Sequence, residues 1–236
     1  MPDRWQWENP TGAVSGVDAG SLSTPSYVAW LWKRHFLLDI YIPSVRNPLP
    51  QPPADWPAPV YIAFDIPQGL PTPGRPRRKS DEQANTPTRK MPTSRKELGQ
   101  WRLYRGFIEA GVEIFWAIYA GRLGSIAGLS PAAGLPNVVE TYPRYVIARL
   151  WPELRLPSKS HAPLEYIDAV WTRIRQAGYS CASVIRPTVD QVDAMVCALA
   201  AEACMQDGGL PQGIVGCPPI VDPVDRVLRE GYIVSP

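Results

Sequence analysis

Apolar residues in this chain fall into short runs cut by proline and glycine, and the runs have two periods. Gly12–Gly20 (GAVSGVDAG) reads as a buried strand ending in a turn. Tyr27–Lys33 and Phe36–Ile42 are aromatic and branched runs separated only by Arg34 and His35, the pattern of a β-hairpin. Val60–Ile66 (VYIAFDI) and Asn137–Tyr142 (NVVETY) are further short strands, each closed by a proline. The helical period governs Ser94–Tyr119, where Ser94 and Glu97 form a capping box. It returns over Arg144–Trp151, Leu164–Gly178 and Asp190–Met205, the last rich in alanine. Tyr232–Val234 adds an edge strand. Strands alternating with helices after an opening hairpin predict an α/β fold with a mixed sheet and flanking helices.

Composition changes the picture at the connections. The 28 prolines among 236 residues compare with about 12 at the usual frequency, so the connections are expected to be long and stiff. Pro43–Pro59 can be neither a regular helix nor a central strand. Gly74–Pro92 is polar and charged and reads as a disordered loop. The chain is expected to be a single domain over 1–236, with a basic flexible loop at about 71–93. Cys181, Cys197, Cys204 and Cys217 lack zinc-ligand spacing and lie far from His35 and His161. The N-terminus is too polar for a secretory signal, and no apolar run reaches the roughly 18 residues of a membrane span. The expected compartment is the cytoplasm, with reduced thiols and no membrane association.

Candidate chemistry lies in the acids. Asp18, Asp65 and Glu140 each stand near the C-terminal end of a short apolar strand. A carboxylate there is costly to desolvate unless it is paired or bound to a cation, and ligand sites in such sheets lie beyond the strand ends. Asp190 and Asp193, three apart, share one face of the last long helix. Local roles compete: turns at Asp18 and Asp65, an N-cap at Asp190 and the helix dipole at Asp193. Glu140 has no such local role. Together the five acids are expected to bind Mg²⁺ or Mn²⁺, with a two-metal site able to activate water against a phosphodiester.

Five stretches in order, GVDAG at 16–20, FDIPQGL at 64–70, VVETYP at 138–143, DQVDAMVCALAAEA at 190–203 and EGYIVSP at 230–236, resemble a family of uncharacterised bacterial and archaeal proteins described as predicted RNase H-like nucleases. The Asp-x-x-Asp-Ala helix is also similar to the last catalytic helix of Holliday-junction resolvases. The resemblance spans nearly the whole chain. It implies an RNase H-like fold with a five-stranded mixed sheet whose first three strands are antiparallel. It places Asp18 on the first strand, Asp65 on the fourth, Glu140 on the fifth and Asp193 on the final helix with Asp190 beside it. Resolvase-like relatives act as dimers, so a homodimer is an expectation. The proline-rich 43–59 stretch stands where that fold has a helix. The family's arginine and aspartate pattern after the fourth strand is matched loosely by Arg75, Arg77, Arg78 and Asp81.

Net charge is only +2, but Gly74–Arg105 holds ten basic and three acidic residues, a local +7. Arg75, Arg77, Arg78 and Lys79 follow Asp65 closely and are expected to contact phosphates of a nucleic acid, DNA or RNA. A merely solvated loop is the competing role. Trp101 and Tyr104 are candidates for stacking on bases, or for helix core. The expectation is a metal-dependent nuclease with Asp18, Asp65, Glu140 and Asp193 as catalytic groups and Asp190 as a further metal ligand. The alternative is a nucleic-acid-binding or scaffold protein that keeps the fold without turnover. A nucleotide-dependent phosphotransferase is disfavoured, because Gly121–Gly134 is too apolar for a phosphate loop and lacks lysine.

Overall fold

The computed structural model describes residues 12–129 and 133–236. The polar N-terminal octapeptide and part of the Gly121–Gly134 stretch lie outside them. The opening run forms β1 (Ala13–Asp18), followed by β2 (Ser26–Trp32) and β3 (His35–Tyr41). Lys33 and Arg34 both have positive φ, 49° and 63°, so the tight turn has the handedness that matches strand twist. The next strand is β4 (Pro59–Asp65), and residues 42–58 before it carry no helix.

Helix α1 (Lys79–Gln83) interrupts the segment expected to be a flexible basic loop. The single long helix expected over Ser94–Tyr119 is instead α2 (Arg95–Gln100) and α3 (Arg105–Gly121). Ser94 caps α2 as read, accepting a hydrogen bond from the Glu97 amide. The break comes at Tyr104, whose left-handed backbone (φ 55°) cannot continue a helix. Then follow β5 (Ser125–Ile126), β6 (Asn137–Thr141), α4 (Pro143–Leu150), α5 (Pro163–Gln176), β7 (Ser180–Cys181) and α6 (Val189–Gln206). The chain ends in a hairpin of β8 (Val215–Asp222) and β9 (Val227–Val234).

Among the described residues these strands make one mixed sheet of nine strands, not five. Its order is β7-β3-β2-β1-β4-β6-β9-β8, with β5 also paired to β6. Strands β1, β2 and β3 are antiparallel, and β4 and β6 run parallel to β1. Two of the extra strands are only two residues long, beneath what a periodic pattern can register. The other difference is at the C-terminus. The expected edge strand β9 lies inside the sheet, parallel to β6, and β8 is the edge. Pro218 and Pro219 hid β8 in the sequence. They are tolerated because an edge strand has amides that need no partner, and the register shifts at that point.

Alternation along the strands divides the core into two layers. Val14, Ala29, Leu31, Tyr61, Ala63 and Val139 face α4, α5 and α6. Val17, Val28, Trp30, Ile62, Phe64 and Val138 face α3, through Ala110, Ile114, Phe115 and Ile118. Helix α6 is buried almost all round, as a central helix must be when its residues are small and apolar. It lies against β1 at very short range. A Cβ on Gly16 would stand 2.1 Å from the Ala198 nitrogen and 2.2 Å from the Ala194 oxygen.

Gly16→Ala is therefore expected to push α6 off the sheet and destabilise the fold by about 3 kcal/mol, the upper end for overpacking. Gly99→Ala, at a helical position with open space around it, is expected to stabilise by up to about 1 kcal/mol. Thermal denaturation of the two variants checks this. A Gly16→Ala protein as stable as the parent would show that the helix does not need this glycine.

Candidate metal centre

Strand period decides which acids meet. Asp18 has the parity of Val14 and Gly16, and Asp65 that of Tyr61 and Ala63, so both point to the α6 side of the sheet. They are direct partners in the parallel β1–β4 register, at the C-terminal ends of both strands. Helix α6 supplies the third carboxylate from its second turn. Its N-cap is Thr188, not Asp190: Thr188 Oγ1 accepts from the Gln191 amide at 3.2 Å, and Gln191 Oε1 accepts from the Thr188 amide at 2.8 Å. That register turns Asp193 inward.

Carboxylate oxygens of Asp18, Asp65 and Asp193 lie within 4.8 Å of one another. Asp193 is buried, and Asp18 and Asp65 are partly exposed. Burial, followed by the Asp65, Asp193 and Asp190 charges, pushes the Asp18 carboxyl well above its usual range. Burial also raises Asp65, against the lowering effect of Lys159. Asp193 is raised by burial, while Lys159 and a Tyr166 hydrogen bond pull it back. Such a cluster is a poor home for three negative charges and a good one for a cation.

The donor set fits that demand. Three hard oxygen donors this close could hold a metal ion, with water completing its shell. A tethered cation already meets the cluster: the Lys159 ammonium bonds Asp193 and lies 5.2 Å over the Tyr166 ring. Tyr166 Oη donates to Asp193 at 2.6 Å and fixes its second oxygen. Neither Lys159 nor Tyr166 stood out in the sequence. Lys159 sits in an aperiodic loop, and Tyr166 reads as one more core aromatic of α5.

The other predicted residues lie elsewhere. Glu140 has the parity of Val138, so it points to the α3 face of the sheet and lies outside the three-aspartate cluster, although its charge still helps to raise Asp65. There it is buried and bonded twice by Arg78, at 2.6 Å each, and once by the Gln68 amide at 2.6 Å. Arg78 also bonds Asp81, with its Nε at 2.7 Å. Burial alone would lower the Arg78 pKa, but Asp81 and Glu140 more than reverse it, so the guanidinium is firmly charged. Asp190 is exposed on the first turn of α6, near enough to raise Asp18 but outside the three-carboxylate cluster.

The four residues expected to contact phosphates are largely engaged within the protein. Arg77 and Arg78 are buried, and Arg77 bonds the Asp81 carbonyl. Arg75 pairs with Glu82 at 3.1 Å. Lys79 is exposed. A local +7 in sequence is in good part the internal wiring of this segment, which the buried Arg78 fastens to the sheet.

A family model described as "Protein of unknown function (DUF429)" matches residues 16–214, and the chain belongs to that family. No curated protein and no solved structure matches it. The four cysteines are free. Among the described residues no helix is long and apolar enough to cross a membrane.

Two outcomes are expected. Arg78→Ala leaves Glu140 and Asp81 buried without their partner and should cost about 3–5 kcal/mol in chemical denaturation. Arg78→Lys should recover little, since an ammonium cannot bond both carboxylates in this forked geometry. Lys159→Ala should lower the melting temperature in chelator, yet tighten Mn²⁺ binding by calorimetry, because the competing cation is gone. Unchanged Mn²⁺ affinity would remove Lys159 from that role.

Proposed function

We propose that this family member is a Mg²⁺- or Mn²⁺-dependent phosphodiester hydrolase acting on nucleic acid. The carrying observation is the Asp18–Asp65–Asp193 cluster, within 4.8 Å at the ends of adjacent parallel strands. Two further features support the reading. The first three strands are antiparallel within a mixed sheet, as the RNase H-like resemblance of the five sequence stretches implies, although the sheet has nine strands and not five. The helix bearing the third acid packs on β1.

In this reading Asp18, Asp65 and Asp193 would hold the ion, and it would supply a water activated at neutral pH and offset charge on the phosphoryl oxygens. Tyr166 keeps Asp193 in one orientation through its hydrogen bond. The Lys159 ammonium, bonded to Asp193, would give the site a positive group for the phosphate. Glu140 and Arg78 act at a distance, fastening the segment that follows β4. With Glu140 committed to Arg78, the three aspartates favour one ion over the two expected from five acids.

One observation favours a second reading, a nucleic-acid-binding protein without turnover: Lys159 lets the cluster persist with no ion at all. Labelled single-stranded, duplex, branched and RNA–DNA hybrid substrates, incubated with Mg²⁺, Mn²⁺ or chelator, separate the two. Metal-dependent cleavage is expected, reduced at least about 100-fold by Asp18→Asn and by Asp193→Asn, while Glu140→Gln should act mainly on stability. Absence of cleavage, or cleavage indifferent to both aspartates, sinks the hydrolase.

A further inference from the structure

Asp65 opens on a cavity that the hydrolysis reading leaves unused. It has a volume of about 320 Å³, and Asp65 lines its edge. Arg78, Asp81 and Glu140, already bound to one another, line it as well. Most of its surface is apolar, contributed largely by Pro67, Met91, Tyr104, Phe107, Tyr142 and Ile233. Thr86 and Thr88 add hydroxyl groups. A second, more polar cavity of about 380 Å³ holds Asp18, Thr24 and Asp190, and Gly20 and Phe107 line both. Asp65 therefore borders an apolar chamber, and Asp18, its partner across the β1–β4 register, a polar one.

Tyr104 marks the apolar chamber as more than a packing defect. It is a bulky residue held in left-handed backbone at φ 55°, and its side of the loop is exposed, Tyr104 at 47% and Leu103 at 60%. A residue without Cβ constraints would sit there at no cost, and such strain persists where the surroundings or a function require it. The strain places an aromatic ring at the chamber, where Phe107 and Tyr142 also contribute.

We infer that this chamber takes one unpaired nucleobase, next to the phosphodiester held at the aspartates. The inference rests on the hydrolase reading and names its substrate class. The volume is at the small end of the roughly 300–1,000 Å³ of ligand pockets, enough for one ring system and too small for a base pair with its neighbours. Aromatic and proline faces match the π-face that every base has, and the hydroxyls match its polar edge. The backbone phosphate, which needs a cation, falls at Asp65. A base still stacked in duplex cannot enter without leaving its helix, so single strands or extruded nucleotides are the fitting substrates.

The test uses the full chain in chelator, where no hydrolysis can contribute. Saturation-transfer NMR is recorded with adenosine, cytidine and, as the ligand lacking a base, ribose. Both nucleosides are expected to bind and ribose is not. Tyr104→Gly removes the ring while giving the strained position the residue that tolerates it. It should melt no lower than the parent and bind nucleosides roughly tenfold more weakly. Equal signals from ribose, no signal from the nucleosides, or a folded Tyr104→Gly protein that binds like the parent overturns the inference. The comparison with ribose needs no variant, so it stands even if Tyr104→Gly fails to fold. Cleavage without nucleoside binding overturns the base site alone. Nucleoside binding without cleavage by any metal keeps the base site and removes the hydrolase.

Discussion

Helix α6 can reach the sheet only because Gly16 has no side chain, and the candidate site follows from that approach. With Ala194 and Ala198 as the facing residues, the two backbones come close enough that a single methyl group would collide with the main chain of α6. Asp193 rides on this helix, while Asp18 stands two residues beyond the glycine on β1. The separation of the two carboxylates is thus set by main-chain contact, which is stiffer than any side-chain packing. A bulkier interface would move the third acid out of reach of the other two.

The acids form two assemblies, one on each face of the sheet, at the ends of the same central strands. On the α6 face, three carboxylates gather around one ammonium. On the α3 face, one guanidinium is gripped by Glu140 and Asp81. The first has more negative than positive charge and is partly open; the second is buried and saturated with hydrogen bonds. That contrast separates a place for chemistry from a structural clamp more reliably than residue type, since both are built from carboxylates and cations.

Much of this was readable in the chain. Asp18, Asp65 and Asp193 were legible because several acids near the ends of apolar strands and on an apolar helix in one chain point to a shared site, even though each alone has a local explanation. Glu140 was legible as unusual but not as to its direction. The two valines before it, Val138 and Val139, left the strand apolar on both faces, so alternation could not say which way it pointed. The internal bonds of the basic run were hidden for a related reason: composition counts charges but cannot see that Arg78 lies within bonding distance of an acid 62 residues away. Lys159 left no periodic trace, because its position depends on how the loop before α5 is anchored. The C-terminal hairpin was obscured by its own prolines.

The ammonium at Asp193 separates two events that are often one. In sites whose acids have no internal counter-charge, the ion must arrive for the chain to fold, and metal supply governs how much native protein exists. Here the chain supplies its own counter-charge at Lys159, so an ion bound at Asp193 would exchange with a tethered group. A bound ion would still add stability by mass action, but to a native state whose acids already have a partner.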